Sequence, residues 1–167
     1  FLFLFVMVVI GLMQGMQPIV GYNYGARLYN RAFKVLKLSI MFATVISVIG
    51  FLLGEFFPHM ITSMFTADKQ LTEIAASGMR IMMMAVPLLG VQIITTGFFQ
   101  SIGYVKTAIF LSLLRQLILI IPALLVFPLF FGLNGIWMSI PVSDTLATII
   151  SVTILMYNYR QLKKLAN

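Results

Sequence analysis

TAIFLSLLRQLILIIPALLVFPLFF, Thr107–Phe131, runs for 25 residues with a single charge, Arg115. A bilayer core about 30 Å thick takes roughly 20 apolar residues of helix to cross. This stretch is therefore long enough to span with some tilt. It is too long and too continuously apolar for a barrel strand, which has about 10 residues of alternating polarity. Working outward, four other stretches meet the same test: Leu2–Tyr22, Phe33–Phe57, Ile74–Phe99 and Ile136–Tyr157. In chain order the five are spans A to E, with Thr107–Phe131 as D. The fold class they predict is all-α, a polytopic membrane protein of five transmembrane helices.

The composition agrees. Eleven Lys and Arg and four Asp and Glu serve 167 residues, 61% of them hydrophobic. A soluble domain of this size could not cover its surface with so few charges. The absence of cysteine excludes disulfides and thiolate metal sites. His59, the sole histidine, cannot build a multi-histidine metal site. The net charge of +7 could suggest nucleic acid, but in a membrane protein basic loops explain it, so the bilayer and not nucleic acid is the expected partner. No GxSxG elbow, no HExxH and no paired membrane aspartates point to an intramembrane enzyme.

The charged loops alternate. Arg27, Arg31, Lys34 and Lys37 lie between A and B, Lys106 between C and D, and Arg160, Lys163 and Lys164 after E. The B–C loop instead carries Glu55, Asp68, Lys69 and Glu73, and the D–E loop, Gly132–Gly135, carries no charge. The positive-inside rule then predicts an outside start, five crossings and a cytoplasmic chain end. The chain opens at Phe1 inside span A, with no Met and no basic leader segment, so it reads as a piece of a longer protein.

Span faces carry further information. Ser39, Ala43, Ser47, Gly50 and Gly54 form a stripe of small residues on B, which lets a neighbouring helix approach closely. Gly11/Gly15 and Gly21/Gly25 are GxxxG pairs with the same capacity. On C, Gln92, Thr96 and Gln100 recur every four residues over about 12 Å of helix. Glutamines facing lipid are costly, so this stripe predicts either interhelical hydrogen bonds or the wall of a solvated cavity. Pro87, one turn earlier, permits a kink. On E, Asp144, Thr148 and Ser151 form a second polar stripe. Asp144 lies roughly 12 Å deep and Arg115 of D about 14 Å from the other surface, so the two charges meet at similar height. Asp144 is open to two roles: a structural ion pair with Arg115, or direct contact with a substrate or ion. Thr66 or Asp68 can cap the helix that becomes C.

GMQPIVGYNYGARLYNRAFK, Gly15–Lys34, is the most specific segment. It places Gln17-Pro18 in an apolar helix, ends the helix in Gly21–Ala26, and follows with a basic stretch suited to anionic headgroups. This segment resembles the hallmark of the MATE (multidrug and toxic compound extrusion) family, at the second helix of its C-terminal lobe. GFFQSIGYVKTAIFLSLLRQ, Gly97–Gln116, resembles that family's inner loop and eleventh helix. FPLFFGLNGIWMSIPVSD, Phe127–Asp144, resembles its outer turn and last helix.

The resemblance implies that residues 1–167 are a partial C-terminal transmembrane lobe, helices eight to twelve of twelve, with the N-terminal lobe as the missing partner. It implies secondary active export of small organic, often cationic, compounds by antiport with protons or sodium ions and no other cofactor. The location implied is a bacterial plasma membrane. In many members a coupling aspartate sits in the N-terminal lobe; here C has no acid beyond Glu73, so coupling is expected outside this chain. The substrate-cavity candidates are Gln17, Asn23, Gln92, Thr96, Gln100 and Asp144, with Met82–Met84 as either a soft cavity wall or ordinary packing. A lipid-linked oligosaccharide flippase of the same superfamily is the alternative. Its cavity should hold several Arg or Lys, whereas only Arg115 is deep in a span. A structural membrane subunit is a third possibility.

Overall fold

A computed structural model describes the backbone of residues 1–164 and the side chains of residues 1–161, so the basic residues Lys163 and Lys164 lie outside the described side chains. Eight α-helices and one π-helical segment are present among the described residues. They are α1 (Leu2–Gly25), α2 (Tyr29–Phe56), α3 (Pro58–Ser63), α4 (Lys69–Met83), α5 (Val86–Ser101), α6 (Val105–Leu113), the π segment Leu114–Leu119, α7 (Ile120–Phe131) and α8 (Leu133–Lys164). Helices α1, α2, α6-through-α7 and α8 are each long and apolar enough to cross a membrane, and α4 with α5 pass the same test together as a pair bent by 50°, which makes up to five crossings.

Two spans are irregular. Span C takes the kink that Pro87 permits: it breaks after Met83, and α5 sets off at 50° to α4. Pro87 falls in the first turn of α5, where its missing N–H costs nothing; amides on either side of it close tight i→i+3 turns, Met84 N–H to Ile81 and Leu88 N–H to Ala85. Span D is not uniformly α-helical. Pro122 cannot bond back to Ile118, and the turn ahead of it widens, so that the Ile120 N–H bonds to the Arg115 carbonyl. Span A stays helical to Gly25, within the Gly21–Ala26 ending read from the sequence, and turns at Arg27, whose φ is +59°. The Leu28 N–H closes on Asn23 and the Arg27 N–H on Tyr24, a Schellman ending with an arginine in the left-handed position that glycine usually takes. α5 ends the same way at Gly103, φ +82°, with Tyr104 N–H on Phe99 and Gly103 N–H on Gln100.

α5 is the centre of the bundle, packed by α1, α2 and α8 and followed closely by α6. The small-residue stripe of α2 makes this possible: Ser39, Ala43, Ser47, Gly50 and Gly54 are all buried. A Cβ on Gly90 of α5 would come within 2.7 Å of both the Ala43 carbonyl oxygen and Ser47 Oγ. Where lipid tails are as apolar as the side chains, such close backbone approach is a main source of helix association. The pair Gly11/Gly15 packs against nothing within 4 Å. Aromatic packing fills one end of the bundle, where Phe33 meets Phe98 and Tyr159, and Phe98 meets Phe99. That end also carries Arg27, Lys34, Lys37, Lys106 and Arg160 and is called the basic end below. At the other end Asp68 caps α4, its carboxylate accepting from the amides of Gln70 and Leu71. α7 buries none of its residues and presents Leu125, Leu129 and Phe130 outward.

Candidate functional site

α1, α5 and the α6–π helix enclose a cleft of about 560 Å³. The three walls differ in chemistry. α1 contributes apolar residues, among them Phe3, Val6, Ile10 and Met13. α5 contributes the Gln92, Thr96 and Gln100 stripe with Ile93 between. The α6–π wall contributes Ser112, Arg115 and Gln116. An apolar wall facing two polar ones, with one guanidinium, can hold an amphipathic molecule by its flat apolar side and orient its polar groups.

The polar residues are not equivalent. Gln100 is exposed, and its Oε1 accepts from Gln17 Nε2 at 3.0 Å, tying α1 to α5 near the basic end of the cleft. Thr96 Oγ1 donates to the Gln92 carbonyl of its own helix at 3.0 Å. Gln92 is 3% exposed, and its Oε1 has no hydrogen-bond partner among the described residues. A buried amide oxygen without a donor is costly, so this residue, which borders the cleft, carries an unsatisfied acceptor.

Arg115 Nε donates to Asp144 Oδ1 at 2.6 Å. The arginine side chain is 25% exposed and lines the cleft; the aspartate is 3% exposed and does not. Asp144 thus stands behind Arg115, on the face where α8 packs against α5 and the π segment. Thr148 strengthens this join: its hydroxyl donates to the Asp144 carbonyl at 2.8 Å and reaches the Leu88 carbonyl of α5 at 3.4 Å. Only Nε of the guanidinium is engaged among the described residues, which leaves its terminal nitrogens free on the cleft side. The π turn matters here because it places Arg115 and Gln116 on the wall.

Of the residues singled out in the sequence, Gln92, Thr96 and Gln100 line the cleft, and Gln17 reaches it through Gln100. Asn23 is turned back, its Nδ2 donating to the Ile19 carbonyl one turn earlier. Met83 is packed into a small core with Val86 and Leu89, while Met84 is exposed on another face. Ser112 and Gln116 were missed. Their spacing from Arg115, at i, i+3 and i+4 in an otherwise apolar run, was the signal that could have found them. No group of three acidic or histidine residues capable of holding a metal is present among the described residues.

The chain spans about a third of the relatives it matches. It is 28% identical over 148 residues to the multidrug export protein MepA of Staphylococcus aureus, covering 89% of this chain and 32% of that protein. It superimposes with a TM-score of 0.87 on the MATE multidrug transporter DinF-BH, at 41% identity over 95% of this chain and 35% of that one. A multidrug-resistance MATE transporter solved in an inward-facing conformation shares the fold at TM-score 0.90, with 20% identity over 98% of this chain and 38% of that one. The MatE family model matches residues 1–125, three quarters of the sequence, and with these neighbours it establishes that this chain belongs to the MatE family of membrane transporters.

Proposed function

We propose that this chain forms one wall of the substrate cavity in a secondary transporter that exports amphipathic organic compounds. The observation that carries this reading is the cleft itself, in which two polar helix faces and one apolar face converge between helices long and apolar enough to span a bilayer. Polar groups at that depth are costly unless they face protein or water, and here they share one cavity. A second lobe would cover the open side, and the two would rock about the site to give alternating access. Coupling to protons or sodium falls to that second lobe. Asp144, the acid deepest in the spans, is held by Arg115 behind the wall, and no acid lines the cleft among the described residues. With Arg115 as the only cation lining the cleft among those residues, a flippase for pyrophosphate-linked lipids is less well served, since such a cargo calls for several cations.

Export of a fluorescent organic cation from efflux-deficient bacterial cells, expressing the full-length protein that carries this chain, tests the proposal. Active export that falls at least several-fold in Gln92→Leu, with unchanged protein level, supports it. Export unaffected by Gln92→Leu and by Gln116→Leu would remove the cleft from the transport path.

A further inference from the structure

At the basic end a second hollow lies on the outer surface between α2 and α8. It measures about 760 Å³, within the range of about 300–1,000 Å³ usual for small-molecule sites. The two helices do not pack along their length. They touch through the rings of Phe33 and Tyr159, whose centroids are 4.5 Å apart. From that contact an apolar trough runs toward mid-membrane over Leu36, Ile40 and Leu155. Ile40 lies about 9 Å deeper than Lys34 by helical rise.

The rim is cationic. Lys34, Lys37 and Arg160 all border the trough and all are exposed. None has an acidic partner among the described residues, where the single ion pair is Arg115–Asp144. The chain cannot supply one nearby, because its four acids are Glu55, Asp68, Glu73 and Asp144, three toward the other end of the bundle and one locked behind the cleft. Long basic side chains lay their stems on apolar surface and lift their charges to the headgroup level. Basic pockets between transmembrane helices are suited to acidic lipid headgroups, and guanidinium groups pair bidentately with phosphate.

We propose that this groove binds one anionic phospholipid from the leaflet at the basic end, its phosphate held by Lys34, Lys37 and Arg160 and an acyl chain lying in the trough. The lipid bridges α2 and α8 alongside the Phe33–Tyr159 contact. The site is separate from the cleft and stands whether or not the transport proposal does.

Native mass spectrometry of the full-length protein, with phosphatidylglycerol and phosphatidylcholine of identical chains, tests it. The expected result is at least tenfold greater retention of phosphatidylglycerol. A cation near a membrane surface is worth about fivefold in affinity, so Arg160→Gln lowers the preference by about that factor, and the triple Lys34→Gln/Lys37→Gln/Arg160→Gln variant brings it near parity. Ile40→Trp fills the trough and lowers retention of both lipids, with gel-filtration profile and melting in lipid-free detergent unchanged. Equal retention of the two lipids, or a preference that survives Arg160→Gln and the triple variant, overturns the proposal. So does retention indifferent to Ile40→Trp, or phosphatidylglycerol displaced by free glycerol phosphate, because the headgroup alone would then be bound.

Discussion

Arg115 and Asp144, 29 positions apart, join the π-helical segment of one span to the last helix through a 2.6 Å contact between Nε and Oδ1. The pair is lopsided: the guanidinium reaches the cleft while the carboxylate is sealed away. Removing one partner of a buried pair costs about 3–5 kcal/mol when the other charge stays buried, and less when it can reach water. Arg115→Ala therefore destabilises more than Asp144→Asn. In the double variant Asp144→Asn adds little to the loss. Melting curves in detergent for the three variants check this, and fully additive losses would show that the contact couples nothing.

Gly90 marks the tightest crossing of α2 and α5. A side chain there meets the Ala43 backbone, which cannot rotate away. Gly90→Val is expected to lower stability by about 1–3 kcal/mol, the usual range for overpacking. Gly11→Ala, at an open position, leaves the melting temperature unchanged or slightly raised. The same melting assay separates the two.

The two Schellman endings give opposite substitutions opposite signs. The left-handed conformation costs a non-glycine residue roughly 1–2 kcal/mol. Gly103→Ala should lose about 1 kcal/mol, and Arg27→Gly should gain up to a similar amount, since Arg27 makes no ion pair among the described residues. Denaturation midpoints in mixed micelles report both.

The Gln17–Gln100 bond ties two walls of the cleft at an exposed position. A hydrogen bond of this kind contributes about 0.5–1.5 kcal/mol. Gln100→Leu is expected to change stability by no more than that while reducing export severalfold, and paired melting and export measurements distinguish a cavity role from a merely structural one.

The spans were legible because lipid demands long apolar runs, and five such runs stood out between charged loops. The small-residue stripe of α2 was legible for a related reason: a helix face of Ser, Ala and Gly has little use except close approach. What period and composition could not show was where helices deform. The break at Met84–Ala85 and the widened turn at Leu114–Leu119 depend on how the chain around Pro87 and Pro122 redistributes its hydrogen bonds. Ser112 and Gln116 share the cleft wall with Arg115, a face that their i, i+3 and i+4 spacing carries but that two isolated polar residues in an apolar run do not make conspicuous. Asn23 does not line this cleft, and its amide finds the Ile19 carbonyl one turn back.

The cleft between α1, α5 and the α6–π wall is proposed to contact exported compounds. These 167 residues contain no cysteine, so in the full-length protein, with any cysteine outside them replaced by serine, single cysteines can be placed at Thr96, Gln116 and the outward-facing Leu129. Labelling each with a charged, water-borne thiol reagent, with and without an exported dye, is the most direct test. Thr96→Cys and Gln116→Cys should label and be protected by the dye, while Leu129→Cys should not label. Cysteines at 96 and 116 that resist the reagent, or label at the same rate with dye present, would contradict the account.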